Sequence, residues 1–318
     1  MNRTAANPRR PSRLEARMQT LRNGSFWIHG IGRLFLYLCL CCIAYVFLFP
    51  FLFMIVTALK SPEDLVDITI QWIPSGLYWQ NFAIAWKELV YPRYFFNSLV
   101  VTVLSTVGHV VSCSLVAYGF ARYRSRLLDV LFLVVIFTMI VPIQVIIVPL
   151  FMMYSNFGWL NSYFPMIVPT FFGFGLRGGL FIFIFRQIFL GMPKELEEAA
   201  FIDGCGRLHT YGRIALPVAQ PAILVSVILS VVWHWNDYVE PGYYIISQSK
   251  KLLPAMLPNM YRMAQGIGGG AGENVGEFVF TKGMAMAGTF LVLLPVLLFY
   301  ILLQRKFMTS IERTGLVG

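Results

Sequence analysis

The chain has 318 residues, 58% of them hydrophobic, 16% aromatic and only 13% charged, with a net charge of +10. An ordinary soluble domain carries about 25% charged residues, so this composition excludes a conventional soluble fold. The basic excess would suit a nucleic-acid binder, but the Lys and Arg positions read as a membrane-topology signal, and no nucleic-acid partner is expected.

In chain order, residues 1–33 form a basic segment with seven Arg, and Leu34–Leu59 follows without Asp, Glu, Lys or Arg. That run is longer than the roughly 7–15 residues of a signal-peptide core, so it is expected to stay as a membrane anchor. An outer loop at 60–93 precedes a second uncharged run, Tyr94–Ala121. Leu127–Met153 is broken only by Asp129 and Asn161–Phe185 only by Arg177, while Ala215–Asn236 and Gly283–Leu303 are unbroken. Each run can cross a hydrocarbon core of about 30 Å at about 1.5 Å per residue. Only helices or closed barrels satisfy their own backbone in lipid, and continuous apolarity without period-two alternation indicates helix. The expectation is an all-α membrane protein with six transmembrane helices. With a cytoplasmic N-terminus, the inside segments hold 17 Lys and Arg and the outside segments seven. This asymmetry places both termini, including the tail 304–318, in the cytoplasm.

The loops carry few chemical motifs. The outer loop 237–282 contains GIGGGAG (Gly266–Gly272). No strand precedes it, so it reads as a flexible linker rather than a dinucleotide fingerprint. Of the five cysteines, Cys39, Cys41, Cys42 and Cys113 fall within helices and Cys205 in an inner loop. They imply neither a disulfide framework nor a metal site. None of the seven lysines follows a glycine, so no Walker A sequence is present and the chain is not expected to hydrolyse ATP. His109 and His234 read as helix-packing or interfacial residues.

Charge gathers in one inner loop, ELEEAAFIDGCGRLHTYGRIALP (Glu195–Pro217). Pro193 suits a first helical turn, and Lys194–Ala200 are mostly strong helix formers. Three glutamates fall where the macrodipole favours negative charge, and Gly204 permits the turn that ends a helix. A short helix over Pro193–Asp203 is expected, then a second short segment over Arg207–Arg213 before Leu216-Pro217 enters the next span.

The spacing of Glu198-Ala199-Ala200, Gly204, Ile214 and Leu216-Pro217 resembles the EAA signature of inner-membrane permeases of ABC importers. Asp203 before Gly204 and Pro221 after Pro217 are also similar to the family form. The resemblance extends to Lys60-Ser61-Pro62, Trp72-Ile73-Pro74, Asn81-Phe82, Asn97-Ser98, Phe185-Arg186-Gln187, Trp235-Asn236-Asp237-Tyr238, Pro295, Gln304-Arg305 and the tail Thr314–Gly318. These look like the smaller permease of maltose-type carbohydrate importers. Glu240, the long basic N-terminal extension and Arg177 depart from that pattern.

The resemblance implies a type I ABC importer permease fold, with a five-helix core at 94–303 and a coupling loop at 193–217. It implies that Glu198, Ala199, Ala200, Asp203, Gly204, Ile214, Leu216 and Pro217 contact a cytoplasmic ATPase. The implied partners are a second homologous permease, two ATPase subunits that bind ATP and Mg, an external solute-binding protein and a carbohydrate-like solute. The implied location is a prokaryotic cytoplasmic membrane. No cofactor, metal or catalytic residue is expected in this chain.

Candidates for the solute path are Arg177 and, at the outer end of the fifth span, Trp235, Asn236 and Asp237; the last three equally suit contact with an external binding protein or an interfacial aromatic belt. An ionisable residue inside the membrane is costly and by default marks a site. Gly173-Phe174-Gly175-Leu176-Arg177-Gly178-Gly179 reads as a broken helix, which lipid tolerates only against protein or a cavity. Snorkelling of Arg177 to the interface is the competing explanation. An ion-coupled secondary transporter would carry acidic or histidine relays in mid-membrane and inverted repeats, and neither is visible. A polytopic membrane enzyme would need a catalytic cluster, and none is recognisable.

Overall fold

The computed structural model describes residues 24–175, 177–266 and 281–315, with side chains described over 31–175, 177–266 and 281–305. Most of the basic segment 1–33, the glycine linker after Gly266 and the end of the tail lie outside the described residues. Among the described residues every regular element is helical.

Three helices are long and apolar enough to span a membrane unbroken. These are α1 (Gly24–Ala58), α4 (Tyr91–Arg122) and the start of α15 (Lys282–Gly315), after the short α2 (Pro62–Val66) and α3 (Gln80–Glu88). The residues up to Val56 form a compact unit of their own, and Thr57–Gly318 form the second. In the first unit residues 34–52 are almost wholly exposed, as lipid-facing apolar side chains would be.

The third expected span is two helices, α5 (Arg126–Ile140) and α6 (Ile143–Asn156), bent by 105°. Pro142 explains the break: a residue before proline is pushed out of the helical region, and Val141 has ψ 116. The fourth is α7 (Phe164–Ile167), a 3-10 turn (Val168–Phe172) and α8 (Gly178–Gly191). At 14 residues α8 rises about 21 Å, short of a bilayer's hydrocarbon core of about 30 Å. The fifth is bent by 76° between residues 207–218 and α12 (Gln220–Asn236). Counting each bent pair as one span gives five, so six continuous apolar helices do not occur among the described residues. Breaks at proline and glycine account for the difference.

The second unit is organised around α4, which packs against α8, α12 and the 3-10 turn. Toward Arg122, Cys113, Ala117 and Tyr118 bury against Phe181, Phe185 and Phe189 of α8 and Ala215, Ala219 and Ala222. Toward Tyr91, an aromatic and small-residue cluster joins α3, α4, α14 (Leu257–Ala264) and α15. Between them runs a buried polar seam. Thr106 donates to Ser230 at 3.1 Å, Ser105 to the Met166 carbonyl at 3.0 Å and Ser112 to the Thr170 carbonyl at 2.6 Å. His109 and His234 meet at 3.3 Å, with Ser230 beside His109 at 3.4 Å. Lipid offers apolar helices no hydrophobic reason to associate, so close packing at small residues and interhelical hydrogen bonds hold them together.

Gly108 is the tightest point of this seam. A Cβ there would strike Thr170 Oγ1 and come within 2.9 Å of the Phe171 ring. Gly108→Leu is therefore expected to destabilise the protein by at least about 1–3 kcal/mol, the usual cost of overpacking. The check is a thermal melt in detergent beside Gly76→Ala, whose site has no neighbour within 4 Å. Equal midpoints for the two variants would contradict the close approach.

Candidate functional site: the charged loop and the broken helix

The charged loop begins with α9 (Glu195–Ile202), two residues later than expected at its start. Its end is set by Gly204, whose φ is +81. The Gly204 N–H donates to the Phe201 carbonyl at 3.1 Å, and the Cys205 N–H to the Ala200 carbonyl at 2.9 Å. This is the paired bonding of a Schellman cap, and glycine is the residue that adopts it without steric cost. The chain then forms α10 (Arg207–Thr210), a π-helical turn (Tyr211–Ala215) and α11 (Leu216–Val218) before the bend into α12. Pro217 and Pro221 stand four apart, and both lack the N–H that would bond the preceding turn, which locates the bend. The helix–turn–helix read from the sequence is present.

The loop sorts its charges. Glu195, Glu198, Ala199, Asp203, Gly204 and Pro217 are exposed, Ile214 and Leu216 half-buried, and Ala200 buried. Phe201, Ile202 and Leu208 add exposed apolar surface. Glu197 turns the other way and is buried. Its Oε1 accepts from Arg122 Nε at 2.9 Å, and Arg122 Nη2 donates to the Met192 carbonyl at 3.1 Å. Sequence reasoning missed this pair. Arg122 was legible only as one of three basic residues at an inner boundary, and Glu197 as one glutamate of three.

The broken helix is also where the glycines suggested. Gly173 and Gly175 have φ of +71 and +104, and Arg177 has φ of +61. The Gly173 N–H donates to Ser112 Oγ at 3.1 Å, so the break is tied to α4. A Cβ at Gly178 would lie 2.5 Å from the Gly173 carbonyl oxygen. Arg177 is exposed and its guanidinium lies 4.7 Å from the centre of the Trp233 ring, a cation–π contact.

The other candidates for the path each have partners of their own. Trp235 is 3% exposed and donates its indole N–H to the Val292 carbonyl at 3.0 Å. Asn236 is exposed and bonds back to the Val232 carbonyl at 2.7 Å. Asp237 Oδ1 accepts from the Val239 and Glu240 N–H groups at 2.9 and 3.3 Å, capping α13 (Val239–Tyr244). Glu240, in the first turn of α13, is buried. Among the described residues no group of three or more His, Cys, Asp or Glu is placed to hold a metal ion.

Long apolar helices, an exposed charged loop and a broken fourth segment stand together in this chain, and the known proteins it is similar to give the class. Residues 111–306 match the family described as binding-protein-dependent transport system inner membrane component. The chain belongs to that family. It is 30% identical over 260 residues to the probable starch degradation products transport system permease protein of Thermoanaerobacterium thermosulfurigenes, covering 81% of this chain and 87% of that one. It is 26% identical over 268 residues to the arabinooligosaccharides transport system permease protein of Bacillus subtilis (strain 168), covering 83% and 89%. Its fold is similar to a chain in the crystal structure of a bacterial ABC transporter involved in the import of the acidic polysaccharide alginate. The TM-score is 0.71 at 20% identity, over 89% of this chain and 98% of that chain.

The acidic pair beyond α12 yields a pH prediction. Burial pushes the Glu240 carboxyl up to about 8, with the charge of Asp237 adding to the effect. Below about pH 4.5, its ordinary value, the group is protonated whether the chain is folded or unfolded. Between there and about 8 the unfolded chain has lost the proton that the folded chain keeps, so stability falls as pH rises. Glu240→Gln should raise the thermal midpoint at pH 8 and leave it nearly unchanged at pH 4.5. A gain of equal size at both pH values would show that packing, not ionisation, is responsible.

Proposed function

We propose that this chain is the permease subunit of an ABC importer for a sugar, oligosaccharide or sugar derivative, lining half of the translocation path. Family membership and the carbohydrate names of its relatives support the class. The observation that carries the coupling role is the exposed face of α9. It presents Glu198 and Ala199 outward on a short rigid helix closed by the Gly204 cap. Such a helix fits a groove on a partner, and Glu198 offers a charge-assisted hydrogen bond to a basic residue there.

In this reading the core at 94–303 follows an anchor at 34–59 and an outer loop at 60–93, in six spans. Segments 1–33 and 304–318 lie in the cytoplasm of a prokaryotic host. The chain pairs with a second permease, two ATPase subunits that bind ATP and Mg, and an external solute-binding protein. ATP-driven closure of the ATPases moves α9, and the proline bend passes that motion into α12. Inward-open and outward-open arrangements exchange, which couples an ATP site to a solute site. The chain performs no catalysis itself. Arg177 over Trp233 is a candidate contact for solute hydroxyl or acidic groups.

Two experiments test this. A tagged pull-down from native membranes in mild detergent should recover a Walker-A ATPase and a second permease. Glu198→Arg combined with Gly204→Val should lose the ATPase and keep the permease. Wild type recovered without an ATPase would sink the reading and favour a transporter working alone. For the path, Arg177→Ala should lower uptake of an acidic sugar about tenfold more than that of a neutral one, a difference of about 1.4 kcal/mol. Equal losses would remove Arg177 from solute selection.

A further inference from the structure

The covalent route from α9 to the membrane helices is long and indirect. It runs through Gly204, Gly206, a π-helical turn and a 76° bend. A second route is short and direct. Arg122 is the last residue of α4, and its side chain grips both Glu197 of α9 and the Met192 carbonyl just before the loop. The two charged side chains are only 8% and 9% exposed, so water cannot readily replace either partner. Arginine suits this place because its planar fork makes two directed bonds at once.

Nearby contacts brace the same end of α4. Ser114 and Tyr211 share a hydrogen bond of 2.7 Å, and the Tyr118 ring lies between Phe189 and Tyr211 at 5.5 and 5.2 Å. Since α4 is packed against α8 and α12, whatever moves Arg122 acts on those helices too. Neighbouring glutamates on α9 thus face different ways, with Glu198 exposed and Glu197 held by α4.

We propose that the Arg122–Glu197 pair is a strut that makes α9 and α4 one rigid body, so that displacement of the loop reaches the membrane helices through α4 as well as through the proline bend. Arg122 and Glu197 are positioning residues. The inference rests on the reading of α9 as the ATPase contact.

The test uses the whole complex, purified with its partner permease and ATPases in lipid nanodiscs. Nitroxide labels are placed at Lys194→Cys beside α9 and Val103→Cys on α4, with the five native cysteines replaced by alanine. Electron–electron double resonance then compares the nucleotide-free state with the Mg-ATP-vanadate state. With the strut intact, the label distance should be the same in both states. In Glu197→Gln and in Arg122→Gln it should shift on trapping by about 2 Å, the scale of helix shifts in switching proteins. The reversed pair, Arg122→Glu with Glu197→Arg, should restore the constant distance, which a general loss of stability would not do.

A constant distance in both single variants overturns the strut. So does a distance that shifts with the strut intact, or a reversed pair that fails to assemble or to restore constancy. Absence of an ATPase from the complex before any strut substitution would overturn the permease reading and the strut with it. The other adverse results leave the permease reading standing.

Discussion

Every N–H and carbonyl inside hydrocarbon must find a partner within the protein, since lipid offers none. The rest of this architecture depends on that constraint. It makes each long apolar run a helix, and it dictates where a helix can be interrupted. The break at Gly173–Arg177 is tolerable because it lies against α4, where Ser112 accepts the Gly173 N–H. The break at Val141–Pro142 removes one donor by the chemistry of proline itself. The bend at Pro217–Pro221 does the same twice, and the donors of Ala219 and Ile223 still find carbonyls four residues back at 3.0 and 2.9 Å.

The same constraint explains why α4 is both the most polar and the most buried of the long helices. Ser98, Thr102, Ser105, Thr106, His109, Ser112 and Ser114 are all buried on it. In lipid these groups would be costly, so each is turned toward a protein neighbour where an acceptor or a close-packed surface waits. The result is a hub whose neighbours are specified by hydrogen-bond geometry as well as by shape. Small residues let the backbones approach, and the hydroxyls hold the register. A mechanism that rocks helices against one another needs such discrete contacts, because a featureless apolar interface would not define two arrangements.

At the end of that hub, charge is divided between a buried pair and an exposed face. One glutamate of α9 is committed to Arg122, while its neighbours in sequence stay in solvent. A helix places successive residues about 100° apart, so adjacent glutamates necessarily point in different directions. The loop is thereby fastened on one face and available on the other. Beyond α12, the buried Glu240 in the turn capped by Asp237 shows the opposite use of acid, shut away from water and expected to carry its proton near neutral pH.

Much was readable from residue order. Apolar run length announced the helices, Glu195–Ala200 announced α9, Gly204 its cap, and Leu216-Pro217 the entry to the next span, because each is a local matter of propensity, donor count or φ range. The glycines around Arg177 likewise announced a break. What order alone left undecided was which way side chains face. Glu197 and Glu198 are equivalent as letters, and only the position of Arg122, 75 residues away, separates them. Trp233 rather than Trp235 meets Arg177, and His109 meets His234 across 125 residues, because those pairings depend on how α4, α8 and α12 rotate against one another. Local chemistry sets where a helix starts and stops, while its rotation is set by long-range packing that no short stretch of sequence contains.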